Sequence, residues 1–371
     1  MAELRVETVS LAGFRNHEMW TSDLSPRLTV LVGANAAGKT NILEALMVAV
    51  TGTSFRSFSW DDLIKRGADR ADVSIKAVRD GVPLDLKMSI EKTGTREFLL
   101  NGRRRKSAAE VTDRVPVVAF VPEDLSLSKG ASEIRRASLD ALGDRLSRAY
   151  AALRLEYSRL VKQRNALLKS GAPESQLSPW DEMVATVGAA LTLHRVRLLM
   201  RMEQPAREAY RRVGHGEELS VAYQASWKRA EAGAEDIAGM KREHIADTIM
   251  AELREGREKE RERGITRVGP HRDDVVFSIA GYPARGSASQ GQHRTVALAW
   301  KMAEVAVVHE VAGVRPLLLL DDVMSELDST RRTELSAFIL EGSQAIITTT
   351  NPAYFGDNLL EESLVVRIGE E

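Results

Sequence analysis

The sequence predicts an α/β fold in which the two ends of the chain build one nucleotide-binding head, with a mainly helical segment inserted between them. Three observations carry this. The pattern Gly33-Ala34-Asn35-Ala36-Ala37-Gly38-Lys39-Thr40 stands near the start. A run of four leucines ends in two carboxylates, Asp321 and Asp322, near the other end. Between them, over residues 129–264, the alternating spacing of strands gives way to helical spacing.

Residues 4–10 alternate apolar and polar, as a half-buried strand does, and 11–17 turn the chain. Residues 28–32 are β-branched and apolar, a buried strand leading into the glycine loop. After the loop, 41–47 carry a helical apolar spacing. Strand, glycine loop and helix form the context that G-x-x-x-x-G-K-[ST] requires. Glycines let backbone N–H groups approach a phosphate at a helix N-terminus. Lys39 suits the β- and γ-phosphates, and the Thr40 hydroxyl suits Mg²⁺. A chain this long matches the bare pattern by chance roughly one time in a hundred, and the flanking elements lower that further.

Residues 72–90 hold two alternating runs split by Asp80-Gly81. Residues 96–105 read as a hairpin turning at Asn101-Gly102, with Arg103, Arg104, Arg105 and Lys106 on its second arm. That arm is a solvated face or a phosphate-contacting one. Residues 115–121 form another apolar run. One long helix is expected over 132–169, a second over 179–213 and a third over 234–263, with a short strand over 217–226. Basic residues of the first helix alternate with acids, which favours a salt-bridged surface over a DNA-facing one. Strand patterning returns at 275–279, a helix is expected from about 290 to 311, and 317–320 read as a buried parallel strand. That strand delivers Asp321 and Asp322 to its C-terminal end, one carboxylate for Mg²⁺ and the next to position water. A further β-run covers 344–350. The head is thus expected over 1–128 and 265–371, and the inserted lobe over 129–264.

Composition excludes more than it assigns. There is no cysteine, so no disulfide framework, thiolate metal site or catalytic thiol. The histidines fall into no ligand spacing. The first residues mix charge with apolar side chains, so no signal peptide is expected, nor a membrane span. Net charge is −1, so nucleic-acid binding would have to come from local basic surface.

Spacing then discriminates. The glycine loop and the Asp pair lie about 280 residues apart, yet both must meet one nucleotide. A head split by a helical insertion points to the ABC type, in which ATP is sandwiched between two heads. Ala288-Ser289-Gln290-Gly291-Gln292 looks like the L-S-G-G-Q signature that completes a partner's ATP site, and it opens a helix. The first inserted helix, roughly 57 Å long at about 1.5 Å per residue, is far too short for SMC coiled-coil arms. A transporter ATPase subunit is argued against by the absence of a compact ABC core.

The chain resembles the RecF family of bacterial recombination mediators essentially end to end. The resemblance rests on Phe14-Arg15-Asn16 and on Pro122-Glu123-Asp124-Leu125 with Arg135-Arg136 and Leu139-Asp140. It extends to Gly269-Pro270-His271-Arg272-Asp273-Asp274, to Ser289-Gln290-Gly291-Gln292-His293-Arg294-Thr295, and to Asp321-Asp322-Val323 with Ser325-Glu326-Leu327-Asp328 and Arg331-Arg332. The chain departs from the family pattern at Thr53-Ser54-Phe55, at Asn351 and at Gln292-His293. The resemblance implies an ATP-dependent DNA-binding protein of the cytoplasm that dimerises on ATP and hydrolyses it slowly. RecR, and RecO with it, would be partners in loading RecA at gaps where single- and double-stranded DNA meet. Arg15 is implied at the nucleotide, Ser289, Gly291 and Gln292 in trans, and Asp328 at the dimer contact. A paralogue using the same switch in another DNA-related system, such as defence, is the alternative.

Overall fold

Turn chemistry lays out the first sheet. The structure, a computed structural model, describes residues 3–56, 59–214, 216–227, 234–355 and 360–369. The chain opens with β1 (Leu4–Phe14), β2 (His17–Asp23), β3 (Leu28–Val32) and helix α1 (Lys39–Thr51). Then follow β4 (Arg70–Arg79), β5 (Val82–Glu91), β6 (Arg96–Leu100), β7 (Arg103–Arg105), the short α2 (Ala109–Thr112) and β8 (Val117–Phe120). Asp80 and Gly81 have φ of 53° and 76°, and Asn101 and Gly102 have 50° and 72°. Both pairs are left-handed at both positions, as a type I′ hairpin demands. The resulting antiparallel sheet has the order β2-β1-β4-β5-β6-β7. Its inward side chains, among them Val9, Leu11, Ile75 and Leu86, are buried.

The middle of the chain forms α3 (Ser132–Leu146), α4 (Arg148–Lys169), α5 (Glu174–Val213), β9 (Leu219–Gln224), α6 (Ala234–Ala238), α7 (Arg242–Glu255) and α8 (Arg257–Arg263). After these come β10 (Asp274–Ile279), β11 (Tyr282–Pro283), the one-turn α9 (Ala284–Ser287) and α10 (Gln290–Ala312). Two helix expectations are corrected here. The single helix over 132–169 breaks at Ser147, whose backbone is extended and whose hydroxyl accepts from Tyr150 N at 3.2 Å, so it caps a new helix. The helix expected over 234–263 is three helices, separated around Gly239 and at Gly256, where glycine weakens helical continuity.

α5 carries a window of mean hydropathy 1.3, long and apolar enough to cross a membrane, but 61% of that window is buried inside the protein. That is how a core helix reads. Within the same unit Arg164, fully buried, is tied to Asp181 at 2.7 Å and to Glu260 at 2.6 Å.

The chain returns through β12 (Leu317–Asp321), α11 (Ser329–Leu340), β13 (Ala345–Thr349) and β14 (Ser363–Arg367). These strands join β3 and β8 in a parallel sheet of order β14-β3-β13-β12-β8. Segments more than 280 residues apart therefore share one sheet. Residues 42–50 of α1 are all buried, apolar apart from Glu44, because the helix touches strands of both sheets. A helix apolar nearly all round is a core helix. Gln344 links the two sheets: its amide accepts from Val6 N and donates to Val6 O, each at 2.7 Å.

Two compact units result, one of residues 1–125 with 304–371 and one of residues 126–303. The sequence reading began the returning head segment at 265; the structure groups 265–303 with the helical unit instead. The reason is β10, which pairs with β9 from Asp274↔Gln224 to Ile279↔Leu219. Trp300 adds to this, packing edge-on against Phe277 and donating to Ser138 Oγ at 2.9 Å.

Candidate nucleotide site

The parallel order decides what can meet. β13 lies between β3, which feeds the glycine loop, and β12, which ends in the acids. All three point their C-terminal ends the same way, where parallel sheets hold their ligands.

The loop itself is built by steric demand. Gly33 lies so near the residue that follows β14 that a Cβ there would stand 2.4 Å from Ile368 O. Gly38 has φ of 104°, and a Cβ would meet Asn16 and His17 side chains at 2.6 Å. Ala36 is also left-handed, at φ 65°. Left-handed turns next to a helix start make the concave run of N–H groups that cradles phosphate, and the first N–H groups of α1 have no partner within the helix. Asn35 and Ala37 complete the loop, with Ala37 N donating to Ala34 O at 3.3 Å. Lys39 Nζ donates to Gly33 O at 2.7 Å and Ala34 O at 2.8 Å. It therefore lies along the loop, and an ammonium keeps a third proton for another acceptor. Burial lowers the Lys39 pKa, opposed by the nearby charges of Asp322 and Asp321.

Thr40 Oγ1 donates to Asp321 Oδ1 at 2.7 Å. Thr348 Oγ1, fully buried at the end of β13, donates to the same oxygen at 2.8 Å and accepts from Asp322 N at 2.9 Å. Asp322 holds a left-handed backbone, φ 48°. Its Oδ1 is buried and takes no hydrogen bond from the described residues. Burial raises the Asp322 pKa above the ordinary 3.8, and the neighbouring Asp321 charge adds to this, while Ser325 and Lys39 oppose it. A raised carboxyl with an unsatisfied oxygen is fitted to take a hydrogen bond or proton from a reactant.

The residues also fit a divalent cation. Donating its proton to Asp321 leaves the Thr40 oxygen's lone pairs free, beside a carboxylate. Hard oxygen ligands in this small number are what Mg²⁺ uses when substrate phosphates supply others.

Arg15, expected at the nucleotide, is committed elsewhere among the described contacts. Its Nε and Nη2 donate to Glu44 Oε2 and Oε1 at 2.9 and 2.8 Å, and its Nη1 donates to Asp62 O at 2.8 Å. Glu44 is wholly buried on α1 and also accepts from Ser54 Oγ at 2.6 Å. A buried carboxylate needs such partners. Sequence reasoning missed the residues beside Arg15 that brace the loop. Asn16 Nδ2 donates to Ala37 O at 3.3 Å, and His17 Nε2 donates to Gly38 O at 3.1 Å, with burial keeping the His17 pKa low. Thr348 was missed too, although it stands in a run of threonines that ends a β-stretch.

Asp328 caps α11, accepting from Arg331 N at 3.0 Å and pairing with the Arg331 guanidinium, with its side chain half exposed. In the second unit Ser289 and Gln292 close a capping box around Gly291 at the start of α10. Ser289 N donates to Gln292 Oε1 at 2.7 Å, and Gln292 N donates to Ser289 Oγ at 3.2 Å. His293 is buried, its Nδ1 lying 2.7 Å from Ser128 Oγ.

Residues 5–366 match the family model described as RecF/RecN/SMC N terminal domain. The chain is 38% identical over 348 residues to the DNA replication and repair protein RecF of Symbiobacterium thermophilum, covering 93% of this chain and 91% of that protein. It is 35% identical over 361 residues to the protein of the same name from a Synechococcus strain, covering 96% and 93%. Among solved structures it is similar to the recombination mediator protein RecF-ATPrS in the RecFOR pathway, with a TM-score of 0.87, 29% identity and coverage of 95% and 94%. An Smc head bound to the C-winged helix domain of ScpA shares the fold at a TM-score of 0.56 and 17% identity. Site geometry, architecture and end-to-end similarity agree: the chain belongs to the RecF/RecN/SMC family and, within it, to RecF.

Proposed function

We propose that the chain is a recombination mediator ATPase of the RecFOR pathway, an ATP-governed switch acting on DNA. The observation that carries the ATPase reading is the meeting of Lys39, Thr40, Asp321 and Asp322 in one unit, with Thr348 locking the two acids. The glycine loop binds the phosphates through backbone N–H groups, and Lys39 donates its third N–H to them. Thr40 and Asp321 would hold Mg²⁺, which when bound would neutralise phosphate charge. Asp322 orients the attacking water and takes its proton as the new bond from oxygen to the γ-phosphorus forms and the bond from that phosphorus to the β-phosphate oxygen breaks, ADP leaving with that oxygen. Arg15 acts through Glu44, fixing α1 under the loop.

Two copies close on ATP, with Ser289, Gly291 and Gln292 of each facing the other's phosphates and Asp328 at the contact. RecR and RecO are the partners that the pathway implies, and junctions of single- and double-stranded DNA the substrate, in the cytoplasm at the nucleoid. Similarity to RecF proteins over more than nine-tenths of the chain favours this over a paralogue in a defence system. Arg103 and Lys106 are exposed on the β7 arm and face solvent where phosphate could reach them, while the exposed Arg104 lies 3.7 Å from Glu97.

Binding to a gapped duplex, followed by anisotropy with Mg²⁺ and with or without ATP, tests the reading. ATP should tighten binding, and the affinity should fall steeply with salt, as phosphate contacts require. Equal affinity without nucleotide would overturn the switch.

A further inference from the structure

The signature segment is held by a residue outside any nucleotide motif. Gln292 Nε2 donates to both carboxylate oxygens of Glu217, at 2.8 and 2.9 Å, across 75 residues of sequence. Glu217 sits just before β9 and is itself fixed. Tyr210 at the end of α5 donates its hydroxyl to Glu217 Oε2 at 3.3 Å, and the carbonyl of the next residue, Glu218, accepts from Ala280 N at 2.9 Å.

The chemistry makes this contact directional. A carboxylate only accepts, so it turns the Gln292 amide nitrogen toward itself. The amide oxygen is thereby turned back to the Ser289 N–H, which closes the capping box. A flipped amide would set donor against donor at Ser289 and oxygen against carboxylate at Glu217. The closed box uses Ser289 Oγ as an acceptor from Gln292 N, so the hydroxyl proton is left to donate outward, and Ser289 is exposed.

We propose that Glu217 is the positioning residue of the signature segment: by orienting the Gln292 amide it keeps the Ser289 hydroxyl and the α10 N-terminus set for the phosphates of a second copy. This rests on the reading that Ser289 and Gln292 act in trans.

The test compares Glu217→Gln, Gln292→Ala, the double variant and Ser289→Ala. Dimer affinity is read by sedimentation with Mg²⁺ and ATP. Nucleotide affinity is read with a fluorescent ATP analogue at protein concentrations too low for dimers. Glu217→Gln keeps the shape but removes the charge that selects the amide orientation. It should weaken the ATP-bound dimer by about tenfold or more, the worth of a hydrogen bond to a charged group, with nucleotide affinity of the single copy unchanged. In the Gln292→Ala background Glu217→Gln should have no further effect, because Glu217 acts through that amide. A residue that merely stabilises the fold would lower the melting temperature in both backgrounds and leave dimer affinity alone. If Ser289→Ala weakens the dimer and Glu217→Gln does not, or if the two changes simply add, the inference about Glu217 is overturned while the signature reading stands. If Ser289→Ala also leaves the dimer intact, the trans reading itself fails, and the inference with it.

Discussion

Thr348→Val replaces one side chain by another of the same shape and removes two hydrogen bonds at once. The hydroxyl is fully buried, donates to Asp321 at 2.8 Å and accepts from Asp322 N at 2.9 Å. Orphaning the part-buried Asp322 N–H costs about 1 kcal/mol, and losing a bond to the Asp321 carboxylate about 1.5–3 kcal/mol more. Thr40 still donates to Asp321, which softens the second loss. A destabilisation of about 3 kcal/mol is therefore expected, below the upper end of the simple sum because the two bonds share one hydroxyl. Function should suffer beyond stability. Asp322 holds a left-handed backbone, a conformation worth about 1–3 kcal/mol of strain for a non-glycine residue, and the bond from its N–H helps keep it there. Once released, the carboxylate relaxes away from the water position. Urea unfolding of the full chain reads the first effect, and single-turnover ATP hydrolysis at saturating nucleotide reads the second. Thr348→Ser keeps both bonds and should restore turnover. A valine variant with the parental unfolding midpoint and the parental turnover rate would refute this account of the acid pair.

Four further outcomes are expected, two at Asp322 and two at other contacts. Asp322→Asn should slow hydrolysis by about a hundredfold or more while the ATP-bound dimer still forms, as sedimentation will check. The pH–rate profile should show an acid limb above 3.8: burial favours the protonated acid, so the base is lost as pH falls through this raised pKa, and the limb should vanish in Asp322→Asn. Gly38→Ala should abolish nucleotide binding in a fluorescence titration, because its Cβ would stand 2.6 Å from Asn16 and His17 and its φ is 104°. Arg164→Leu should destabilise the second unit by about 3 kcal/mol by removing the ion-pair partner of the buried Glu260, while Arg257 still pairs with Asp181, and the loss should be visible as a lower urea midpoint.

Local chemistry was legible in the sequence wherever a single stretch held it. The glycine loop, the leucine strand ending at Asp321 and the turns at Asp80-Gly81 and Asn101-Gly102 are each dictated by backbone demand or by burial, within a few residues. What was not legible depends on partners far away in the chain. Nothing local marks Glu44 as the anchor of Arg15, or His17 as a brace for Gly38, since each acquires its role only when the β1–β2 turn folds under the loop. The break at Ser147 was hidden for another reason. Leucines continue on both sides of it with no glycine or proline at the break, and a serine inside a helical pattern shows itself as a cap only once the helix has turned. Glu217 gave no signal at all, because its role is defined by an amide 75 residues later.

The most direct measurement is sedimentation of the purified chain with Mg²⁺, with and without ATP, beside Lys39→Ala under the same conditions. The account predicts a single copy without nucleotide, a dimer with ATP, and no dimer for the lysine variant. A chain that sediments identically in every case, while the analogue titration shows ATP bound, would contradict it.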